Sequence, residues 1–233
     1  MTQSKILVRD PFAPSVSQEV GGVFLCVPGD GVARDRKDLA MQKEEKVLVL
    51  RTCDKDRKSC GGFLWPESGL VACDDWRDDE RCGGGLHGLL WGEGDGALLD
   101  WSPEAVWIVW ETVANDVRNL GEKIKAPKGV VVFCGDRMGA SQYMRDNGGE
   151  GRCIAGGTAT AGVGGTATVG YLGTATAGYR GTATAGYLGV IIIYNWAGDR
   201  LLPVVGVVDN ENLKANTAYQ LNAAGDFIES PTA

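Results

Sequence analysis

Along the first two thirds of the chain, apolar runs of strand length alternate with polar and glycine-rich stretches. Residues 20–27 are mostly apolar and stop at Pro28-Gly29-Asp30, which predicts a strand and a turn. Residues 33–46 are charged and lack glycine and proline, the pattern of a short exposed helix. Residues 46–51, Lys-Val-Leu-Val-Leu-Arg, predict a buried strand. The β-branched and aromatic run Val106-Trp107-Ile108-Val109-Trp110 predicts another, after a short helical start at Ser102-Pro103-Glu104. A further strand is expected over 130–134. A helix is expected over 136–147, with Asp136 as its cap and Asn147-Gly148-Gly149 as its stop. Between 51 and 100 the pattern gives few signals of regular structure.

From Gly157 the pattern changes to four octads, which begin at Gly157, Gly165, Gly173 and Gly181 and follow a Gly-Thr-Ala-Thr-Ala-Gly-Tyr-x scheme. A fixed period of this kind predicts a repeat architecture, here a short β-solenoid. Thr-Ala-Thr alternates, so both threonines share one face and alanine takes the other. Two hydroxyls in a core would go unsatisfied, so alanine is expected inside and threonine outside. The glycines are expected to supply the turns. A core of alanines is thin, and the array must lean on flanking structure. After it, residues 190–196 and 201–208 flank Ala197-Gly198-Asp199, and 218–221 and 226–229 flank a turn at 222–225, two hairpins that form a cap. The expected fold class is α+β, mostly β. Its parts are a mixed N-terminal domain (1–152), an octad-repeat β-solenoid (153–189) and a β-hairpin cap (190–233).

The octads, with Ile191-Ile192-Ile193-Tyr194-Asn195-Trp196 and residues 214–221, resemble uncharacterised bacterial and phage-encoded proteins that carry such arrays before a strand-rich tail. The upstream segment 82–96, Cys-Gly-Gly-Gly-Leu-His-Gly-Leu-Leu-Trp-Gly-Glu-Gly-Asp-Gly, is similar to part of the same group. That resemblance implies no activity; it suggests a phage or prophage protein acting on a host or virion partner. A looser, fold-level similarity is to the octads of ice-nucleation proteins. By that analogy two octads make one coil, and coils repeat at about 4.8 Å. Two coils give two Thr-x-Thr rows per face, a lattice too small to organise ice.

Composition narrows the functions further. The net charge of −7, with no basic face, argues against nucleic acid as a partner. No apolar stretch reaches the roughly 20 residues of a membrane helix, so no membrane contact is expected. Seven cysteines without a signal-peptide pattern imply reduced thiols and a cytoplasmic location. Gly 35 is about twice the usual share and falls largely in the octads and in 83–96.

Candidate chemistry gathers in 53–100. Cys53, Cys60, Cys73, Cys82 and His87 offer thiolate and imidazole ligands for a structural zinc, although no Cys-x2-Cys knuckle is present. The alternative reading is five separate side chains, the thiols packed as small hydrophobes. His87, the sole histidine, is a candidate general base beside Glu93, Asp95 and Asp100, or else a structural histidine in a tight turn. Gly92-Glu93-Gly94-Asp95-Gly96 carries carboxylates that oppose phosphate, and reads as a turn. Tyr171, Tyr179 and Tyr187 recur once per octad and are candidate interface residues for a protein partner or self-association; packing within the chain is the other reading. With two octads per coil, Tyr171 and Tyr187 share one edge and Tyr179 lies opposite. The expected function is non-enzymatic binding or assembly, and the rival is an enzyme built around His87.

Overall fold

A computed structural model describes residues 44–231. The strand expected over 20–27 and all but the end of the helix expected over 33–46 lie outside the described residues. Among the described residues the chain is mostly β, with one short α-helix, several sheets and no closed barrel.

Seven strands build the first sheet: β1 (Lys46–Cys53), β2 (Gly69–Ala72), β3 (Leu86–Leu90), β4 (Val106–Val113), β5 (Arg118–Asn119), β6 (Ile124–Ala126) and β7 (Lys128–Gly135). Their order is β2-β7-β4-β1-β3-β6-β5, and every pairing is antiparallel. The run Val47–Leu50 is buried without a break because both faces of the sheet are covered. Leu48, Leu50, Leu89, Trp107 and Val109 pack on one side with Ala140 and Met144 of α1 (Arg137–Met144). Val49, Ile108, Trp110 and Val131 pack on the other, around Trp65. Helix α1 begins where expected, with Asp136 accepting from the Gly139 N–H, and its continuation ends near Gly148 at a φ of 102°.

Two expectations need correction. Ser102-Pro103-Glu104 starts no helix; it forms a turn closed by the Ala105 N–H on the Ser102 carbonyl. The segment 51–100 is not poor in strands, since β2 and β3 both join the sheet. Glycines hid β3, whose pairing partners Val49 and Leu50 lie far off in sequence. His87 therefore sits on a strand and not in a tight turn.

The octads give β8 (Thr158–Ala161), β9 (Thr166–Thr168), β10 (Thr174–Ala177) and β11 (Thr182–Ala185). Thr158 lies opposite Thr174 and Thr166 opposite Thr182, in parallel pairs two octads apart. Alternate octads thus feed two different sheets. The hairpin of β12 (Val190–Ala197) and β13 (Arg200–Val207) extends one sheet, with β12 parallel to β10. The hairpin of β14 (Thr217–Leu221) and β15 (Phe227–Glu229) extends the other, with β14 antiparallel to β11. Between them Ala167, Ala175, Ala177, Ala183 and Ala185 are buried, and larger side chains from the hairpins (Ile191, Ile193, Tyr219) and from the connection between them (Leu213) complete the core.

Turn chemistry in the octads is only in part what composition suggests. The left-handed position is the eighth of each octad: Gly164, Leu172, Arg180 and Leu188 have φ of 70°, 52°, 58° and 58°. The sixth-position glycines open the turns as expected, each carbonyl accepting from the N–H of the glycine three residues on, as Gly170 does from Gly173, and Gly170, Gly178 and Gly186 serve close approach as well. A Cβ on Gly178 would lie 2.6 Å from the Gly162 carbonyl carbon, and one on Gly186 2.4 Å from the Tyr171 nitrogen. The eighth-position amides also bond to the coming layer, as Gly164 N–H does to the Tyr179 carbonyl and Leu172 N–H to that of Tyr187.

Candidate functional site

Two surfaces carry the candidate side chains. The first follows from strand alternation in the octads. With alanine inside, Thr158, Thr160, Thr174 and Thr176 stand on the outer face of one sheet, in register. The same rows run on into Val190 and Ile192 of β12, then Val207 and Val205 of β13. A flat threonine face therefore passes into an apolar one, where Val205 is 58%, Val207 54% and Trp196 50% exposed. On the second sheet Thr166, Thr168, Thr182 and Thr184 face out by the same alternation, although Thr184 is buried. Gln220 of β14 donates to the Thr182 hydroxyl at 2.8 Å.

The tyrosines divide as the pairing of strands two octads apart requires. Tyr171 and Tyr187 lie together, ring centroids 6.3 Å apart. Tyr171 also packs on Trp101 at 5.4 Å and against Gly96, which ties the octads to the first sheet's core. Tyr187 is exposed, and Tyr179 stands apart under the Arg180 guanidinium.

The second surface is an open cleft of about 1180 Å³ on the seven-stranded sheet. Cys53, Cys60, Cys73, Cys82 and His87 all border it, from β1, the 54–64 turn, the end of β2, the glycine loop and β3. They share a cleft without sharing a centre. Among the described residues, no three of the His, Cys, Asp and Glu side chains come together in a geometry that could hold a metal ion. The six cysteines of the described region are all free thiols. Burial raises the pKa of Cys53 and Cys73, so neither is primed as a thiolate.

His87 is held rather than poised. The Gly83 N–H donates to its Nε2 at 3.3 Å, so the neutral ring carries its proton on Nδ1. Burial, then the charges of Lys123 and Arg51, keep its pKa below the ordinary histidine value. Glu93 and Asp95 do not border the cleft. Glu93 accepts from Arg152 at 3.1 Å and from the Cys153 N–H at 3.0 Å, while Asp95 caps the turn at Ala97. Of the carboxylates considered with His87, only Asp100 borders the cleft.

Two residues escaped sequence reasoning. Lys125 is completely buried and donates to Asp79 and to the carbonyls of Arg81 and Gly83, which pins the loop carrying Cys82 against β6. Its signal was a lysine inside the short apolar run Ile124-Lys125-Ala126. Arg51 ends the apolar run of β1, and its guanidinium stacks on Trp65 at 4.3 Å while Nη1 donates to the His87 carbonyl at 3.2 Å.

Comparison with known proteins gives ice nucleation proteins. The chain is 41% identical to one from Pseudomonas fluorescens over 107 residues, 45% of this chain and 9% of that protein. It is 39% identical over 105 residues to one from Xanthomonas campestris pv. translucens, 44% of this chain and 7% of the relative. It is 41% identical over 102 residues to one from Pseudomonas syringae, 43% and 9%. The chain thus spans less than a tenth of these curated relatives. No family model matches, and no solved structure matches. The chain is a repeat-rich β protein related to ice nucleation proteins. The expectation of a cytoplasmic location is overturned by these relatives, because ice nucleation proteins are surface proteins anchored at the outer membrane. The expectation of no membrane contact is inconsistent with them for the same reason.

Proposed function

We propose that this chain is a non-enzymatic assembly protein of the ice-nucleation type. Its octads form a two-coil β-solenoid with outward Thr-x-Thr rows, and its two hairpins cap one end of that solenoid. The observation that carries this reading is the in-register stacking of Thr158 on Thr174 and Thr160 on Thr176. Threonine rows at strand spacing, about 4.8 Å apart, present hydroxyls and methyls in a fixed lattice to water. The relatives named for ice nucleation support it, and the matched stretch of 107 residues is longer than the four octads.

Two coils alone present too few rows to organise ice, so the activity requires many copies side by side. The apolar rows that continue the threonine face supply a contact for a second copy. Val205, Val207, Tyr194 and Trp196 are uncharged, exposed and on one side of the β12–β13 hairpin. Contiguous apolar surface of this kind marks association sites. Tyr187 adds an exposed aromatic at the coil edge.

The test pairs droplet freezing with sedimentation velocity on the purified chain. The expected result is a freezing temperature that rises with protein concentration in step with oligomer mass. Val205→Lys should lower both together, whereas Thr174→Lys with Thr176→Lys should lower freezing while leaving the oligomer intact. A monomer that freezes no warmer than buffer at every concentration would refute the reading.

A further inference from the structure

We propose that the cleft on the seven-stranded sheet binds a small organic oxyanion, with the Arg51 guanidinium as its charge anchor. This site is separate from the threonine faces, and the argument for it does not depend on ice activity.

Arg51 borders the cleft, yet its Nε is fully buried and has no hydrogen-bond partner among the described residues. No carboxylate among the described residues forms an ion pair with it. A buried charge of this kind is costly unless an opposite charge meets it. The guanidinium is also fixed in place, held between the Trp65 ring and the His87 carbonyl. A planar fork held this way suits a carboxylate or a phosphate. Lys58 and Lys123 add two more cations to the lining.

Four aspartates also line the cleft, which bears on its sign. Asp54 is turned into its own loop, accepting from the amides of Asp56 and Lys58. Asp100 accepts from the Ser102 amide. Asp74 and Asp75 are exposed on the loop after β2. None of the four forms an ion pair with Arg51, which stays the buried, unpaired cation of a lining of mixed charge.

The remaining lining sets the body of the ligand. Phe63, Leu86, Leu98 and Leu99 are apolar, and the cleft is of small-molecule size. The Gly83–Gly85 loop adds a wall without side chains, all three glycines at positive φ. A side chain at Gly84 would meet Arg77 and the Asp75 carbonyl below 3.0 Å, so the loop's closeness to its neighbours requires glycine. An anion with a flat apolar body fits this combination, and the shared chemistry is the oxyanion.

Three probes test it on the full chain: benzoate, phenyl phosphate and inorganic phosphate, at constant ionic strength. Titration calorimetry should show saturable binding of benzoate or phenyl phosphate in the millimolar range or tighter, and much weaker binding of inorganic phosphate. Whichever of the first two binds more tightly names the oxyanion. Arg51→Gln should weaken binding about tenfold or more, the loss expected for a charge-assisted hydrogen bond. Arg51→Lys should fall between. On the unaltered chain, the Arg51 Nε–Hε signal in proton–nitrogen NMR should move with the same midpoint, which keeps the proposal testable if Arg51→Gln does not fold. No saturable binding by either aromatic probe, or binding that leaves the Arg51 signal unmoved, overturns it.

Discussion

In the seven-stranded sheet Leu50 meets Leu89 and Val109, from strands far apart along the chain. In the octads Ala175 meets Ala159 and Ile191 at a fixed interval of two repeats. The first region builds a thick core from large side chains and pays for it with long chain closures. The second builds a thin core from alanines and depends on the backbones of successive layers coming very close. The difference separates what each region tolerates. The core of the sheet, built of large side chains, is the more sensitive to lost volume, and the alanine core of the octads to added volume.

The largest expected effect adds volume to each region at a glycine. Gly178→Val places atoms against the Gly162 backbone and should cost about 3 kcal/mol. Gly61→Val, in the first region, meets nothing within 4 Å and should change stability by less than about 0.5 kcal/mol. Urea midpoints of the two variants measure the contrast, and equal losses would end the comparison.

A smaller effect separates the regions by pH, since the histidine lies only in the first. The folded pKa of His87 is depressed, so the ring favours folding in its neutral form. That contribution is complete above the unfolded value of about 6.5 and is lost as pH falls through the folded value. The ring is half-buried, so the loss on acidification should stay under about 1 kcal/mol. His87→Gln should flatten the urea midpoint between neutral and mildly acidic pH, and an unchanged slope would assign the acid sensitivity elsewhere.

The smallest effect probes the octad turn. Arg180 sits at a φ of 58°, which glycine adopts without strain but with greater entropy in the unfolded chain. The two terms nearly cancel, so Arg180→Gly should shift thermal stability by no more than about 0.5 kcal/mol. A loss beyond about 1 kcal/mol would mean that the stacking of Arg180 on Tyr179 carries weight.

The same contrast explains what the sequence made legible. Inward alanine follows from local alternation, the two hairpins from turn residues between apolar runs, and the shared edge of Tyr171 and Tyr187 from the two-octad coil of the ice-nucleation analogy; the buried alanines, both hairpins and the Tyr171–Tyr187 contact are present. So are β1, β4, β7 and the Asp136 cap. The strand β3 is hidden in the sequence because Gly88 breaks its alternation, glycines flank it and its partners are distant. The five metal candidates do reach one cleft, but spacing along the chain does not determine whether side chains converge. Arg51 and Lys125 were passed over for a related reason. A charged residue inside a strand gives no sign in sequence of whether it is buried, since that depends on which loop folds across it.

The alternation of octads between two sheets also sets a rule for heredity. A gene with tandem copies of one short unit is prone to gain or lose copies when it is copied. Gaining two octads adds a complete layer and returns β12 to the sheet that it already extends. Gaining one would carry that hairpin to the opposite sheet, where β14 belongs. Lineages of this protein should therefore differ by even numbers of octads, and odd changes should be purged by selection.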